Sequence, residues 1–399
     1  MSLKETTSAP SSTAPAAAPA PPIQIPFNKP FLTGYEFVYI SEAIRFGHTA
    51  GDGPFTRKAQ ALIEQILGVP KALLTTSCTD ALEMAAILLD VKEGDEIIVP
   101  SFTFVSTVNA FVLRGARPVF IDIRRDTLNM DESLLESLVT PRTKAVLPVH
   151  YAGVGCDMDV ICAVARKHGI AVIEDNAHGL LGRYHGRNLG TFGELATQSF
   201  HETKNITCGE GGALVINDPL LVERAEIIRE KGTNRARFYR GQVDKYTWVD
   251  IGSSYLPSDI VAAYLLAQLE AREMIQRSRQ RIWNFYNDHL AQWAAANRVR
   301  LPIVPDGCEQ PYHMFYMLMP TFAARQALLA HLRRRGILAV FHYVPLHNSE
   351  MGQRLGGGNA HCPATEDISD RLVRLPFYNS LTEDEQATVV AAILELSTA

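Results

Sequence analysis

A chain of 399 residues, 47% of them apolar, carries enough material for a large buried core and is longer than one domain usually runs, so two domains are expected. Against 43 Asp and Glu stand 38 Lys and Arg, a net charge of -5 with no long basic run; this excludes the phosphate-neutralising stripe of a nucleic-acid binder and leaves small metabolites as the expected ligands. No apolar run approaches the ~20 residues of a membrane-spanning helix, so no membrane partner is expected.

Residues 1–22 are rich in Ala, Pro, Ser and Thr, hold one basic residue (Lys4) and have no apolar core of a secretory leader. They read as a disordered tail. From residue 23 to 257 short apolar runs alternate with helical patterns, which defines a large α/β domain. Residues 96–100, 118–123, 145–151, 171–175, 195–201 and 213–217 read as buried strands, and residues 79–90, with Leu82, Ala85, Ala86 and Leu89 in helical spacing, as a helix with one buried face. Strand and helix alternating at this pitch predict a mostly parallel central sheet with helices on both faces. Ligands of such sheets bind beyond the carboxyl ends of the strands, which brings Asp175, Lys204 and residues 100–104 to one crevice.

Residues 258–399 predict a smaller C-terminal α+β domain: a long helical pattern after Pro257, a strand over 314–319, a helix ending in Arg333-Arg-Arg-Gly336, a strand over 337–343, and terminal helices. The triple arginine reads as a solvated helix end complementing the helix dipole. Six scattered cysteines, without a Cys-x-x-Cys pair, suit free thiols in a reducing cytoplasm.

The chemistry concentrates on two positions. Lys204 is expected to close a strand just upstream of Gly209-Glu-Gly-Gly212, and Asp175 ends another. A lysine to form a Schiff base and an acid to keep a ring nitrogen protonated are what pyridoxal 5′-phosphate requires. Taken singly, Lys204 reads equally as a loop lysine and Asp175 as a turn cap; it is the pair that argues for the cofactor. The start of the helix after Leu74-Thr-Thr-Ser-Cys-Thr-Asp80 offers free amides, a positive dipole end and the hydroxyls of Ser77 and Thr79 to a phosphate, although alone these are ordinary helix caps. Ser199 can add a hydroxyl, and Phe104 can stack on a pyridine ring or belong to the core. The histidines show no His-Glu-x-x-His pattern or ligand spacing, so no metal is expected.

At this point a resemblance becomes specific. Gly51-Asp-Gly-Pro-Phe-Thr56, Ser77-Cys-Thr-Asp-Ala-Leu82, Pro100-Ser-Phe-Thr-Phe-Val-Ser-Thr107, Pro148-Val-His-Tyr-Ala-Gly153, Glu174-Asp-Asn-Ala-His178 and Ser199-Phe-His-Glu-Thr-Lys-Asn205 resemble, in order, the motifs of the DegT/DnrJ/StrS sugar-nucleotide aminotransferases. The resemblance implies the type I fold of pyridoxal-phosphate transferases. It implies that Lys204 carries the cofactor and moves protons, that Asp175 pairs with the ring nitrogen, and that Thr79, the amides of Cys78 and Asp80, and Ser199 hold the phosphate. Phe104 would stack on the ring, and His178, where many members have glutamine, would reach its 3-hydroxyl. His342 and His347 would lie near the substrate mouth. A homodimer with shared active sites is implied too, although serines of Gly252-Ser-Ser-Tyr255 stand where members commonly offer the partner an asparagine.

Residues 226–235, 240–248 and 341–347 resemble the branch that forms dTDP-4-amino-4,6-dideoxygalactose for surface polysaccharides. That implies L-glutamate as amino donor and dTDP-4-keto-6-deoxyglucose as acceptor. Three readings compete: amination of another nucleotide-linked keto sugar, a sugar 3-dehydratase, and a non-catalytic regulator that keeps the fold. Lys204 counts against the dehydratases, which carry histidine there, and with Asp175 against the regulator.

Overall fold

The computed structural model describes residues 21–396; all but the last two residues of the expected N-terminal tail fall outside them. In chain order the principal elements begin with α1 (Glu36–Arg45), α2 (Pro54–Leu67), β1 (Lys71–Thr75), α3 (Cys78–Leu88), β2 (Glu96–Pro100), α4 (Val105–Val112), β3 (Arg117–Ile121) and β4 (Thr143–Val146). They continue with α5 (Met158–His168), β5 (Ala171–Asp175), β6 (Leu195–Ser199) and β7 (Gly212–Ile216). After these come α6 (Asp259–Glu270), α7 (Arg272–Ala296), β8 (Tyr316–Leu318), α8 (Phe322–Arg334), α9 (Pro363–Arg371), β9 (Leu372–Arg374) and α10 (Glu383–Leu394).

The central sheet has seven strands in the order β1-β7-β6-β5-β4-β2-β3. Only β7 runs antiparallel to its neighbours β1 and β6; the other pairs are parallel. Successive side chains of a strand point to opposite faces, and here both faces are buried. Leu73, Ile97, Val99, Leu195, Leu214 and Ile216 pack under α3 and α4. Their neighbours Ala72, Leu74, Ala196, Ala213 and Val215 pack under α2 and α6, while Ile98, Val146 and Val172 meet α5. Each fully buried Leu, Ile or Phe contributes about 1.5–3 kcal/mol, so this two-sided burial is what holds the strand ends in register.

The smaller core gathers Ile282, Tyr286, Leu290 and Trp293 of α7, Met317 of β8, Leu328 and Leu332 of α8, Val373 of β9, and Val389 and Ile393 of α10. α6, although it lies beyond Pro257, belongs to the other core, together with Ile275 of α7. The change from one core to the other therefore falls along α7, after Ile275. The opposite face of β8 and β9, Tyr316, Leu318 and Leu372, meets Phe102 and Tyr151 from the loops at the carboxyl edge of the large sheet. That contact roofs the crevice.

Three expectations need correction. β6 ends at Ser199, so Lys204 sits in the turn beyond the strand and does not close it; its amide donates to the carbonyl of His201 at 2.9 Å. Residues 337–343 form no strand: they make isolated bridges, Ile337 with Ile25 and Val340 with Arg374, because β8 takes its partner from β9. β1, absent from the expected strands, lies at the sheet edge, where Lys71 and Thr75 flank only three apolar residues. Among the described residues no helix is long and apolar enough to cross a membrane, no group of His, Cys, Asp and Glu forms a metal cluster, and all six cysteines are free.

Candidate active site

At the carboxyl edge lies a cavity of about 400 Å³ whose walls include Lys204, Asp175, Cys78, Thr79, Ser199, Phe104, His178 and His342. Elements distant in sequence thus bring eight expected residues to one place.

Asp175 is fixed by β5, whose consecutive acidic residues part company. Glu174 turns to the far side and accepts hydrogen bonds from the amides of Gly190, Phe192 and Gly193 at 2.6–2.9 Å. The Nδ1 of His150 accepts from the amide of Cys156, so Nε2 carries the ring proton and donates to Glu174 at 2.9 Å. Asp175 faces the cavity, where its Oδ2 accepts from Thr107 at 2.7 Å and its Oδ1 from the amide of Ala177 at 3.1 Å. Donors on both oxygens keep the carboxylate aimed into the cavity.

Lys204 is anchored through its neighbour. Asn205 donates to the carbonyl of Pro311 at 2.6 Å and accepts from Nδ1 of His313 at 2.8 Å, which pins the chain beside the lysine. Burial pushes the Lys204 amine down to about 8, against the opposing pull of Cys78 and Asp175 and with a further push from Arg374. A lysine so shifted reaches the free-amine state readily, as a nucleophile and proton carrier must.

At the start of α3, Ser77 caps the helix by accepting from the amide of Asp80 at 3.1 Å. Asp80 is thereby engaged, its carboxylate accepts from Thr76, and it does not line the cavity. The amides of Cys78 and Thr79 remain at the open helix end, and the Thr79 hydroxyl sits 2.9 Å from that of Ser106. A methyl group on Gly212 would lie 2.4 Å from the amide nitrogen of Cys78, so only glycine lets β7 approach this turn.

Three imidazoles form the opposite wall. His178 stacks on His313 at 4.3 Å and lies 6.2 Å from His342. Burial and the charges of Lys204 and Arg374 hold all three well below the usual histidine range, so they are neutral. His342 is 2.9 Å from the hydroxyl of Tyr151, whereas the buried Nδ1 of His178 has no partner. His347 lies elsewhere: its ring bonds Ser101 at 2.6 Å and Glu366 at 3.0 Å, outside the cavity, so it ties a loop to the sheet edge and does not stand at the mouth. Phe104 is 58% exposed at the rim.

Sequence reading missed Thr107, His313, Tyr343 and Arg374, which also line the cavity. Two of them carried a usable signal, Thr107 as the end of a quoted motif and Tyr343 inside residues 341–347.

A phosphate-bearing pyridine fits these walls. Its phosphate has a hydroxyl-lined helix start closed by Gly212, its ring nitrogen has Asp175, its hydroxyl has the unpartnered nitrogen of His178, and its aldehyde has the amine of Lys204. A doubly wound sheet with this lysine and aspartate at its carboxyl edge defines a type I pyridoxal-phosphate fold. The family model of the DegT/DnrJ/EryC1/StrS aminotransferases matches residues 33–394, and the chain belongs to that family. Solved relatives agree. TlmJ, an aminotransferase from Streptoalloteichus hindustanus, is 30% identical with a TM-score of 0.85, covering 93% of this chain and 98% of its own. Spr1654 from Streptococcus pneumoniae in its PLP form is 26% identical with a TM-score of 0.85, covering 94% and 98%. PseC from Helicobacter pylori, an aminotransferase involved in the biosynthesis of pseudoaminic acid, is 26% identical with a TM-score of 0.84, covering 93% and 98%.

Proposed function

We propose that this chain is a pyridoxal-phosphate-dependent sugar aminotransferase that moves the amino group of L-glutamate to the 4-keto carbon of dTDP-4-keto-6-deoxyglucose, giving dTDP-4-amino-4,6-dideoxygalactose. The observation that carries it is the convergence of Lys204, its amine pushed down to about 8, with the doubly hydrogen-bonded Asp175 in one cavity. Membership of the family supports amine transfer to a sugar; the choice of sugar rests on the motif likeness at residues 226–235, 240–248 and 341–347.

When bound, the cofactor supplies an electron sink for the carbanion next to the amino group. The chain does the rest. Cys78, Thr79, Ser106 and Ser199 hold the phosphate, Asp175 keeps a proton on the ring nitrogen, and His178 orients the ring. The Nζ of Lys204 takes the proton from the α-carbon of glutamate and returns one in the sugar half-reaction, a transfer worth about 10²- to 10⁴-fold in rate. Tyr343, which lines the cavity and is backed by Phe102 and Tyr151, limits water at the reacting carbon.

The test is incubation of purified protein with L-glutamate and a panel of dTDP- and UDP-linked keto sugars, with products identified by NMR. Only the dTDP-4-keto-6-deoxy substrate should yield product with high kcat/KM; preference for a 3-keto or UDP-linked sugar replaces the assignment. Lys204→Ala should fold, as judged by circular dichroism, and lose turnover by at least about 10³-fold. A variant that still aminates the sugar defeats the mechanism.

A further inference from the structure

We infer that Arg279, which lies outside the cavity, is a positioning residue for amine transfer, an inference that rests on the transaminase reading above: it fixes the turn that carries His313, and through His313 the places of Lys204 and His178. α7 brings Arg279 behind that turn, only 3% exposed. Its Nε donates to the carbonyl of Tyr312 at 2.9 Å and its Nη2 to the carbonyl of His313 at 2.5 Å, so one fork grips two successive peptide groups. Nη1 reaches Oδ1 of Asn379 at 3.3 Å, and the guanidinium lies 4.7 Å from the centre of the Phe377 ring, which lines the cavity.

This is an expensive way to satisfy two carbonyls. Among the described residues no carboxylate pairs with Arg279, and burial pushes its pKa down to about 9. A desolvated charge without a counter-ion is costly, and neutral donors would serve the carbonyls as well. What the planar fork adds is a fixed spacing and direction between them.

The turn needs such a grip. Tyr312 sits at φ +53°, in the left-handed region that favours glycine. Asn205 holds the turn from the side of Lys204, its neighbour in the chain, and Arg279 holds it from α7. The Asn205 amide nitrogen donates to the carbonyl of Pro311 at 2.6 Å, so its oxygen accepts from Nδ1 of His313 at 2.8 Å. That bond fixes the tautomer: the ring proton is on Nδ1, and Nε2 keeps a lone pair in a ring that lines the cavity. Burial first, and after it charges that include Arg279, keep the ring neutral. The same ring stacks on His178 at 4.3 Å. Release of the two carbonyls thus moves both groups on which Asn205 is anchored, and the stacking partner of His178 with them, while the helix start at Cys78 and Thr79 stands on the opposite wall.

The test uses holoenzyme carrying Arg279→Gln, Arg279→Lys, His313→Asn, or Arg279→Lys together with His313→Asn. Cofactor absorbance counts the loaded sites and follows the donor half-reaction with L-glutamate, protonated or deuterated at the α-carbon. A displacement of about 1 Å at a reacting group costs about 10²-fold in rate, so Arg279→Gln should lower the donor rate per loaded site by about that factor. Arg279→Lys, which keeps the charge and grips one carbonyl at a time, should lower it about tenfold. In both the deuterium isotope effect should grow, with the KM for L-glutamate and the cofactor affinity within about threefold of wild type. Because Arg279 acts through His313, the double variant should be at most about threefold slower than His313→Asn alone. A lysine variant that melts lower yet keeps the wild-type rate per loaded site makes Arg279 a core residue, and losses that multiply in the double variant route its effect elsewhere; either result overturns the proposal. The lysine variant decides alone where another fails to fold. If wild type responds to L-glutamate but aminates no keto sugar, the sugar reading falls while the donor rates still decide the role of Arg279.

Discussion

Lys204 shows how burial prepares a side chain. With its amine pushed down to about 8, about one molecule in ten of apoprotein carries the free amine at pH 7, against fewer than about one in a thousand for an ordinary lysine near 10.4. Cofactor uptake by the apoprotein should therefore speed up about tenfold per pH unit up to pH 8 and level off above it, as stopped-flow absorbance would record; a plateau only near pH 10 refutes the shift. The sign for stability follows from the same number. The folded-state value lies below the unfolded one, so the charged amine opposes folding below pH 8, and that cost fades as pH rises from about 8 towards 10.4. Apoprotein of Lys204→Met should accordingly melt higher than wild-type apoprotein at pH 7, with the gap closing by pH 10. Asp175 was legible as an acid closing a buried strand, and Lys204 only through its pairing with that acid, since it stands in the turn beyond β6 and not at the strand end. Arg374 was not, since Leu-Val-Arg reads equally as a strand with a solvated end, and only the side on which β9 faces the cavity distinguishes the two.

At the scale of elements, two strands of the parallel core were legible to the residue, whereas the expected strand 145–151 overran β4, which ends at Val146, and 195–201 overran β6, which ends at Ser199. Residues 96–100 and 171–175 are almost wholly buried, and their bounds match the strands. The small sheet was not legible, because β8 and β9 are three-residue strands separated by α8 and α9, and no local pattern tells β8 which segment to pair with. Close packing of β7 against the start of α3 carries its own consequence. Gly212→Ala would put a methyl group 2.4 Å from both the Cys78 nitrogen and the Ser77 carbonyl carbon, backbone atoms that cannot swing aside. Overpacking of this kind costs about 1–3 kcal/mol, to be read from thermal denaturation. The displaced Cys78 amide should also weaken cofactor binding; a variant with wild-type melting and affinity shows that the turn is more compliant than its packing suggests.

For the whole molecule, the described surface argues for a second copy. α1 buries Glu36 and Ala43 one turn-pair apart, yet Phe37 and Ile44, at the same spacing on the adjoining face, are 69% and 56% exposed. Tyr35, Phe46 and, on a later segment, Trp248 and Val249 are exposed as well, and Phe104 stands at the cavity rim. A surface helix of a monomer carries polar residues at such positions, and apolar ones there mark a covered face. The protein should therefore sediment as a dimer of twice the 44.1 kDa of one chain. Phe37→Glu combined with Ile44→Glu should shift it towards monomer, because a charge in a covered apolar face opposes association by several kcal/mol. If the cavity is completed across the interface, cofactor retention in the double variant should fall in step with the dimer fraction as protein is diluted. Full retention in a monomeric variant confines the site to one chain, and a wild-type protein that is monomeric at micromolar concentration and fully active removes the dimer from the account.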